Sequence, residues 1–174
     1  FFLFEFSKAD STRSPFLTGL LFSYPAMLCW NVLTTWWIWN STPPGAIAAF
    51  LLNALFMSSL FGIWHWFSKY NNNRIFSAIF FISLWISFEF LHLHWDLSWS
   101  WLNLGNVFSN ATKYIQWYEY TGTFGGTIWV LGANFLIFNW ILFLKKEKKR
   151  KNMLSISTLL WIIVPIIISF VISR

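Results

Sequence analysis

Charged residues are scarce in this sequence. They make up 10% of its 174 residues, whereas 57% are hydrophobic; a typical soluble domain has about 25% charged residues. A water-soluble fold of this size has no use for repeated apolar runs of about 20 residues, the length that a helix needs to cross a bilayer. The scarcity of charge therefore excludes a soluble globular domain and predicts an all-α polytopic membrane protein.

Cysteine is almost absent as well. Cys29 is the single cysteine, so an intrachain disulfide is excluded, and one thiol cannot make a zinc site. It lies within an apolar stretch, and we expect it to be a small core residue. The sequence contains no phosphate-binding glycine loop and no recognisable nucleophilic triad. We therefore predict no catalytic residue, no metal site and no cofactor in these residues.

Acidic residues number only 6 against 12 basic ones, which gives a net charge of +6. Such an excess can indicate nucleic-acid binding, but ten of the twelve basic residues fall in three short clusters, within 8–13, 69–74 and 145–151. Clusters between apolar runs are typical of cytoplasmic membrane loops. We therefore predict no nucleic-acid partner. The three clusters should share the cytoplasmic face, and the loop 96–121 and the C-terminal end should face outward.

The apolar runs predict about five transmembrane helices in a single membrane domain covering 1–174. Their approximate limits are 15–39, 46–67, 75–95, 122–144 and 153–172. The segment 40–45 has the composition of a tight turn, and the Trp-rich loop 96–121 is the longest non-helical stretch. The sequence starts without Met, and we expect it to lack an N-terminal part of a longer protein.

Ionisable residues concentrate in the segment 85–106, which holds two of the six acidic residues and two of the three histidines. Because ionisable groups are costly in a membrane, they indicate a functional site there. Glu89 and His92 are three residues apart and share a helix face, where they could orient a proton or contact a substrate. A buried polar contact is the alternative. Even with His94, which points elsewhere on the helix, they supply too few ligands for a convincing zinc site.

The loop that follows contains residues suited to binding at a membrane surface. Trp99 and Trp101 each combine an apolar ring with a polar N–H group, and Asn103 offers both donors and acceptors. Gly105 permits a sharp turn or a positive φ angle. The alternative is that these tryptophans only belong to an interfacial aromatic belt.

Two motifs in this region resemble the signature of the apolipoprotein N-acyltransferase family, in the style of its Bacteroidetes branch. They are Glu89-Phe90-Leu91-His92 and Trp99-Ser100-Trp101-Leu102-Asn103-Leu104-Gly105. The pattern Gln116…Gly122-x-x-Gly125-Gly126…Asn134 resembles the next helix of that family, and Trp36-Trp37-Ile38 resembles its aromatic stretch after an early span. The sequence departs from the signature at His92, where Arg is usual, and at Ser100, where Pro is usual.

The resemblance implies the N-terminal membrane domain of a multi-pass enzyme of the bacterial inner membrane, with loop 96–121 in the periplasm. The family transfers an acyl chain from a phospholipid donor to the N-terminal amine of a diacylated apolipoprotein acceptor. Its Glu-Lys-Cys catalytic site lies in a nitrilase-like domain that this sequence does not include, so the chain alone should be inactive. The residues expected to bind substrate are Glu89, His92, Trp99, Trp101, Asn103 and Gly105.

Two other functions stay open from the residues alone. One is a different lipid-handling membrane enzyme that uses His92 or His94. The other is a transporter or a structural membrane subunit without chemistry of its own.

Overall fold

The computed structural model describes residues 14–71, 73–96, 98–142 and 148–173. Within them the chain forms helices and no strand. The five α-helices are α1 (Pro15–Thr35), α2 (Pro43–Tyr70), α3 (Arg74–His92), α4 (Tyr118–Leu142) and α5 (Lys148–Ile172). Each is long and apolar enough to cross a membrane, which confirms the all-α fold with five candidate spans. The expected basic clusters at 8–13 and 145–147 lie outside the described residues.

α2 begins earlier than the composition predicts. Thr42 is its N-cap and accepts a hydrogen bond from the backbone N–H of Gly45 (3.4 Å). Pro43 and Pro44 occupy the first turn, where the missing proline N–H would have no partner in any case. The segment 40–45, expected as a turn, is therefore divided between the end of the 3-10 helix Trp36–Asn40, a short link and the start of α2.

The chain divides after Trp85 into two compact units. In the first unit α1 and α2 pack closely: a Cβ atom on Gly19 would lie 2.7 Å from the carbonyl oxygen of Phe61. The side-chain amide of Asn53 donates to the side-chain oxygen of Asn31 (2.7 Å), and both residues are buried. Small residues and interhelical hydrogen bonds are the usual means of joining helices in a membrane.

Cys29 does not occupy a core position; it is exposed on α1. The residues that α1 buries are small or polar instead, namely Thr18, Gly19, Ser23, Asn31 and Thr35. The expectation of a core cysteine is wrong because lipid is as apolar as a protein core, so an apolar side chain in a span has no need to face another helix.

In the second unit α4 and α5 are joined by two reciprocal hydrogen bonds. The indole N–H of Trp129 donates to the carbonyl of Trp161 (2.8 Å), and the indole N–H of Trp161 donates to the carbonyl of Trp129 (2.9 Å). Pro165 lies inside α5, four residues after Trp161, and it has no N–H to give to that carbonyl. Trp129 therefore pairs with an oxygen that the proline leaves without its helical partner.

α4 begins at Tyr118, four residues before the limit predicted at 122. Gly122 interrupts it with φ 64° and ψ −172°, a backbone conformation that is open essentially to glycine alone. A single turn thus precedes Gly122, and the long helix follows it. The preceding loop is more regular than expected, because it contains 3-10 helices at Ser100–Leu102, Leu104–Phe108 and Thr112–Tyr114.

Candidate functional site

A buried carboxylate anchors the segment with the unusual concentration of ionisable groups. Glu89 lies in the last turn of α3, and its side chain is 2% exposed. Its Oε1 atom accepts a hydrogen bond from the backbone N–H of Leu104 (2.8 Å), and Oε2 accepts one from the hydroxyl of Thr127 in α4 (2.6 Å). Because a buried carboxylate is costly without donors, these bonds fasten the loop and α4 to the end of α3.

The hydroxyl of Thr127 extends this contact to a second backbone amide. Its single proton is directed to Glu89, so its oxygen can accept, and the N–H of Gly105 donates to it (3.1 Å). Leu104 and Gly105 are the first two residues of the 3-10 helix Leu104–Phe108. N–H groups at the start of a helix have no partner within the helix, and negative charge is favourable beside them. Glu89 and Thr127 together therefore cap this short helix.

Gly105 is needed because the loop passes close to the backbone of α4, and not because of an unusual backbone angle. Among the described residues Gly122 is the single glycine with a positive φ angle. A Cβ atom on Gly105 would overlap the carbonyl oxygen of Thr123, and the hydroxyl of Tyr118 donates to the carbonyl of Gly105 (3.0 Å). Of the two alternatives expected for Gly105, a sharp turn or a positive φ angle, the positive φ angle is wrong. The absence of a side chain lets the loop lie against the backbone of α4.

The part of the loop between Ser100 and Asn106 has a hydrogen-bonded backbone and an exposed indole ring. Asn103 is buried, and its carbonyl accepts the backbone N–H of Asn106 (2.9 Å). The side chain of Asn106 donates to the carbonyl of Ser100 (3.0 Å), which links the first two 3-10 helices of the loop. Trp101, by contrast, is 47% exposed. The hydrogen bonds therefore hold the backbone on either side of Trp101, whose ring is about half exposed.

His92 belongs to a separate aromatic cluster. Its side chain is 3% exposed, and its Nδ1 atom accepts the indole N–H of Trp95 (3.1 Å). The ring centroids of Phe88, Trp95 and Trp99 lie 4.9, 5.4 and 5.6 Å from that of the imidazole. The Nε2 atom of His92 is buried and has no hydrogen-bond partner among the described residues.

His94 differs from His92 in both exposure and bonding. It is exposed, and its Nδ1 atom lies 2.7 Å from the carbonyl oxygen of Phe90. Since a carbonyl can only accept, the proton of this hydrogen bond lies on Nδ1 of His94. The two histidines therefore hold opposite tautomers in their neutral forms.

The residues singled out from the sequence fall into two groups. Trp101, Asn103 and Gly105 lie in the loop 100–108 that Glu89 and Thr127 cap, which we call the capped loop. Glu89 anchors this group from α3, whereas His92 and Trp99 belong to the aromatic cluster. Glu89 and His92 do not form the pair that their spacing suggested, because His92 faces Trp95. Among the described residues, no three His, Cys, Asp or Glu side chains gather as they would around a metal ion.

Thr127 and Tyr118 are the residues that sequence reasoning missed. Neutral polar residues are frequent in membrane helices, where they form many kinds of hydrogen bond. The one available signal was the position of Thr127 directly after Gly125-Gly126, since a glycine pair indicates that another backbone lies close to that helix face. No pattern in the sequence indicates that its hydroxyl reaches Glu89.

Comparisons with known proteins were made on the whole sequence. A family model described as the apolipoprotein N-acyltransferase N-terminal domain matches residues 1–136. A protein named apolipoprotein N-acyltransferase from Chlorobaculum tepidum is 29% identical over 126 residues, which are 72% of this chain and 23% of that protein. The chain thus spans about a quarter of the length of this curated relative. No solved structure matched the chain.

Proposed function

The chain belongs to the apolipoprotein N-acyltransferase family, and we propose that it forms the membrane part of an enzyme that moves an acyl chain from a phospholipid to the N-terminal amine of a diacylated lipoprotein. The part that matches the family includes Glu89, the capped loop and Thr127. A membrane location suits this reaction, because the donor and the acceptor are both held in the bilayer by their acyl chains.

The capping of the loop by Glu89 and Thr127 is the observation that carries the proposal. The backbone N–H groups of Leu104 and Gly105 donate to Glu89 and to Thr127. These two residues end the segment that resembles the family signature, 99–105. A loop already held in one conformation loses little further conformational entropy when a ligand binds. The geometry therefore supports a preorganised surface for substrate.

We assign different tasks to the residues of this surface. Trp101, which is half exposed, contacts an acyl chain of the substrate. Glu89, Asn103 and Gly105 hold the shape of the loop. His92 and Trp99 form a neighbouring part of the substrate site.

We assign no catalytic residue to this chain. The family resemblance gives the bond-making chemistry to a Glu-Lys-Cys site in a nitrilase-like domain. Cys29, the single cysteine, matches no motif of that site. The residues around Glu89 consequently serve binding and positioning.

We infer that the protein resides in the bacterial inner membrane with the loop 96–121 on the periplasmic face. Ten of the twelve basic residues occur in clusters that alternate sides with this loop along the chain. Positively charged loops are retained in the cytoplasm. The capped loop would then lie on the side where lipoproteins receive their acyl chain.

Substitutions at Glu89 test the proposal in the intact protein, expressed in a bacterial strain that depends on it for lipoprotein acylation. Glu89→Gln keeps an oxygen that can accept from Leu104, whereas Glu89→Leu keeps no acceptor. A hydrogen bond to a charged group contributes about 1.5–3 kcal/mol, and 1.4 kcal/mol corresponds to a factor of about ten. We therefore expect acylation to fall by at least about ten-fold in Glu89→Leu and by less in Glu89→Gln.

The extent of acylation is measured by the mass of a reporter lipoprotein, and the protein level in the membrane is measured in parallel. Glu119→Leu is the matched control, because Glu119 is an exposed acidic residue at the start of α4. Trp101→Ala should also reduce acylation while leaving insertion normal. Wild-type acylation by both Glu89→Leu and Trp101→Ala, at normal protein levels, would show that this loop has no part in the reaction.

A further inference from the structure

His92 carries a hydrogen-bond donor that nothing in the described chain accepts. The indole N–H of Trp95 can only donate, so Nδ1 of His92, 3.1 Å away, must be an unprotonated nitrogen that accepts it. The proton of the neutral ring is then on Nε2. That atom is buried without a partner, although buried polar groups in proteins nearly always have one.

The bond from Trp95 also decides the charge of the imidazole. A doubly protonated ring would place an Nδ1–H group against the indole N–H of Trp95, and two donors cannot form a hydrogen bond. His92 is therefore neutral in this arrangement. A phosphate group is bound best by cationic donors, so the neutral Nε2–H group fits a neutral oxygen acceptor better than a phosphate.

The position of His92 along α3 indicates where that acceptor lies. α3 has 19 residues and runs from Arg74 to His92. At 1.5 Å per residue its length is about 28 Å, close to the thickness of about 30 Å of the hydrocarbon core of a bilayer. With Arg74 at one boundary of the core, His92 lies at the other, which is the depth of the ester groups of phospholipids.

The surroundings of His92 are suited to a lipid chain. The side chains of Phe90, Leu91 and Leu93 are 52%, 63% and 45% exposed, so the end of α3 presents apolar surface on either side of the imidazole along the chain. An acyl chain can lie on such a surface while its ester group stays at the level of His92. This combination distinguishes a phospholipid from a small polar ligand.

We propose that Nε2–H of His92 donates a hydrogen bond to an ester carbonyl oxygen of a bound phospholipid. The inference rests on the proposed function in taking a phospholipid as the ligand. Trp95 is held by its hydrogen bond to Nδ1, whereas Trp99 lies outside any helix with its ring 5.6 Å from the imidazole. Trp99 is accordingly the ring that moves to admit the carbonyl.

A competition between two phospholipids tests the proposal in the intact protein. The two lipids have the same headgroup and chain length, but one is a diester and the other is a diether, which lacks the carbonyls. The bound lipids are counted by native mass spectrometry from mixed micelles, without an acceptor lipoprotein. Because one hydrogen bond changes affinity by roughly five-fold, we expect about a five-fold preference for the diester.

Variants at His92 and His94 show which of the two residues causes the preference for the diester. His92→Phe should bind both lipids equally, and His92→Gln, which keeps an N–H donor, should retain part of the preference. His94→Phe is the matched control and should behave as the wild type, because His94 uses its Nδ1 atom on the carbonyl of Phe90. Equal binding of diester and diether by the wild type would overturn the proposal, and so would an unchanged preference in a folded His92→Phe protein.

Solid-state NMR provides a test that needs no destabilising substitution. In wild-type protein with ¹⁵N-labelled histidine, the shifts should show a proton on Nε2 of His92, and dipolar coupling should connect Nε2 to ¹³C in the ester carbonyl. The His92→Gln spectrum identifies the signal. Coupling to phosphorus alone would identify a headgroup phosphate as the partner. Coupling to no lipid nucleus would show that the acceptor does not belong to a lipid. A proton on Nδ1 would show that Nε2 has no proton to donate. Each of these three results overturns the proposal.

Two results separate the role of His92 from the proposed function of the protein. If the lipids bind equally while the protein still acylates lipoproteins, the role of His92 is rejected and the proposed function stands. If neither lipid binds and no acylation occurs, the proposed function is rejected as well.

Discussion

Thr127→Val is the sharpest perturbation of the capped loop, because valine has nearly the shape of threonine but lacks the hydroxyl. The substitution removes the donor to the Glu89 carboxylate and leaves the buried N–H of Gly105 without an acceptor. A hydrogen bond to a charged group contributes about 1.5–3 kcal/mol, and an unpaired buried group costs about 1–3 kcal/mol. Allowing for partial relaxation of the neighbours, we expect the attachment of the loop to lose about 3 kcal/mol.

Amide hydrogen exchange at Gly105 measures this loss directly, since the amide exchanges only when its bond to Thr127 opens. A change of about 3 kcal/mol in the opening free energy corresponds to an exchange rate about 100-fold faster. Thr127→Ser keeps the hydroxyl and should exchange within a few-fold of the wild type. Thr121→Val is the matched control, because Thr121 is an exposed threonine in the first turn of α4.

One result would refute the reasoning about the cap. If Gly105 exchanges at the wild-type rate in a Thr127→Val protein whose α1 and α2 amides are also unchanged, the hydroxyl does not hold the loop. The assignment of Thr127 to the cap would then have to be abandoned.

Two further predictions concern the loop and its orientation. Gly105→Ala should lower the melting temperature and reduce acylation, because its Cβ would overlap the carbonyl of Thr123 and overpacking costs about 1–3 kcal/mol; Ser109→Ala, at an exposed position in the same loop, should change neither. In a Cys29→Ser background, a cysteine at Ser109 should react with an impermeant reagent from the periplasm, and a cysteine at position 72 should react only from the cytoplasm. The reverse labelling pattern would contradict the proposed orientation.

The five helices were predictable because apolar runs of this length leave few other structures in a membrane. The first and last residues of the helices were harder to predict, because they depend on local backbone chemistry. Pro43 and Pro44 suggested a turn, but after the N-cap Thr42 they start α2. The sequence predicts a helix that begins at about Gly122, whereas the positive φ angle of Gly122 separates a preceding helical turn from the main part of α4.

The candidate site was predictable as a region and not as a set of contacts. Glu89 stands out because a carboxylate is rare in an apolar helix, and its need for donors could be anticipated. One donor, Thr127, is 38 residues away from Glu89 in the sequence. Only the packing of α4 against the loop brings its hydroxyl to the carboxylate. The role of Gly105 likewise follows from its neighbour Thr123 and not from its own flexibility.

Glu89 and His92 share the last turn of α3 but have different hydrogen-bond partners. The carboxylate is fully engaged, because Leu104 and Thr127 each donate to one of its oxygens. The imidazole has one nitrogen fixed by Trp95 and the other buried without an acceptor. A buried polar group without a partner costs about 1–3 kcal/mol, and a ligand that supplies an acceptor to Nε2 offsets that cost. For this reason we assign support of the loop to Glu89 and recognition of the lipid ester to His92.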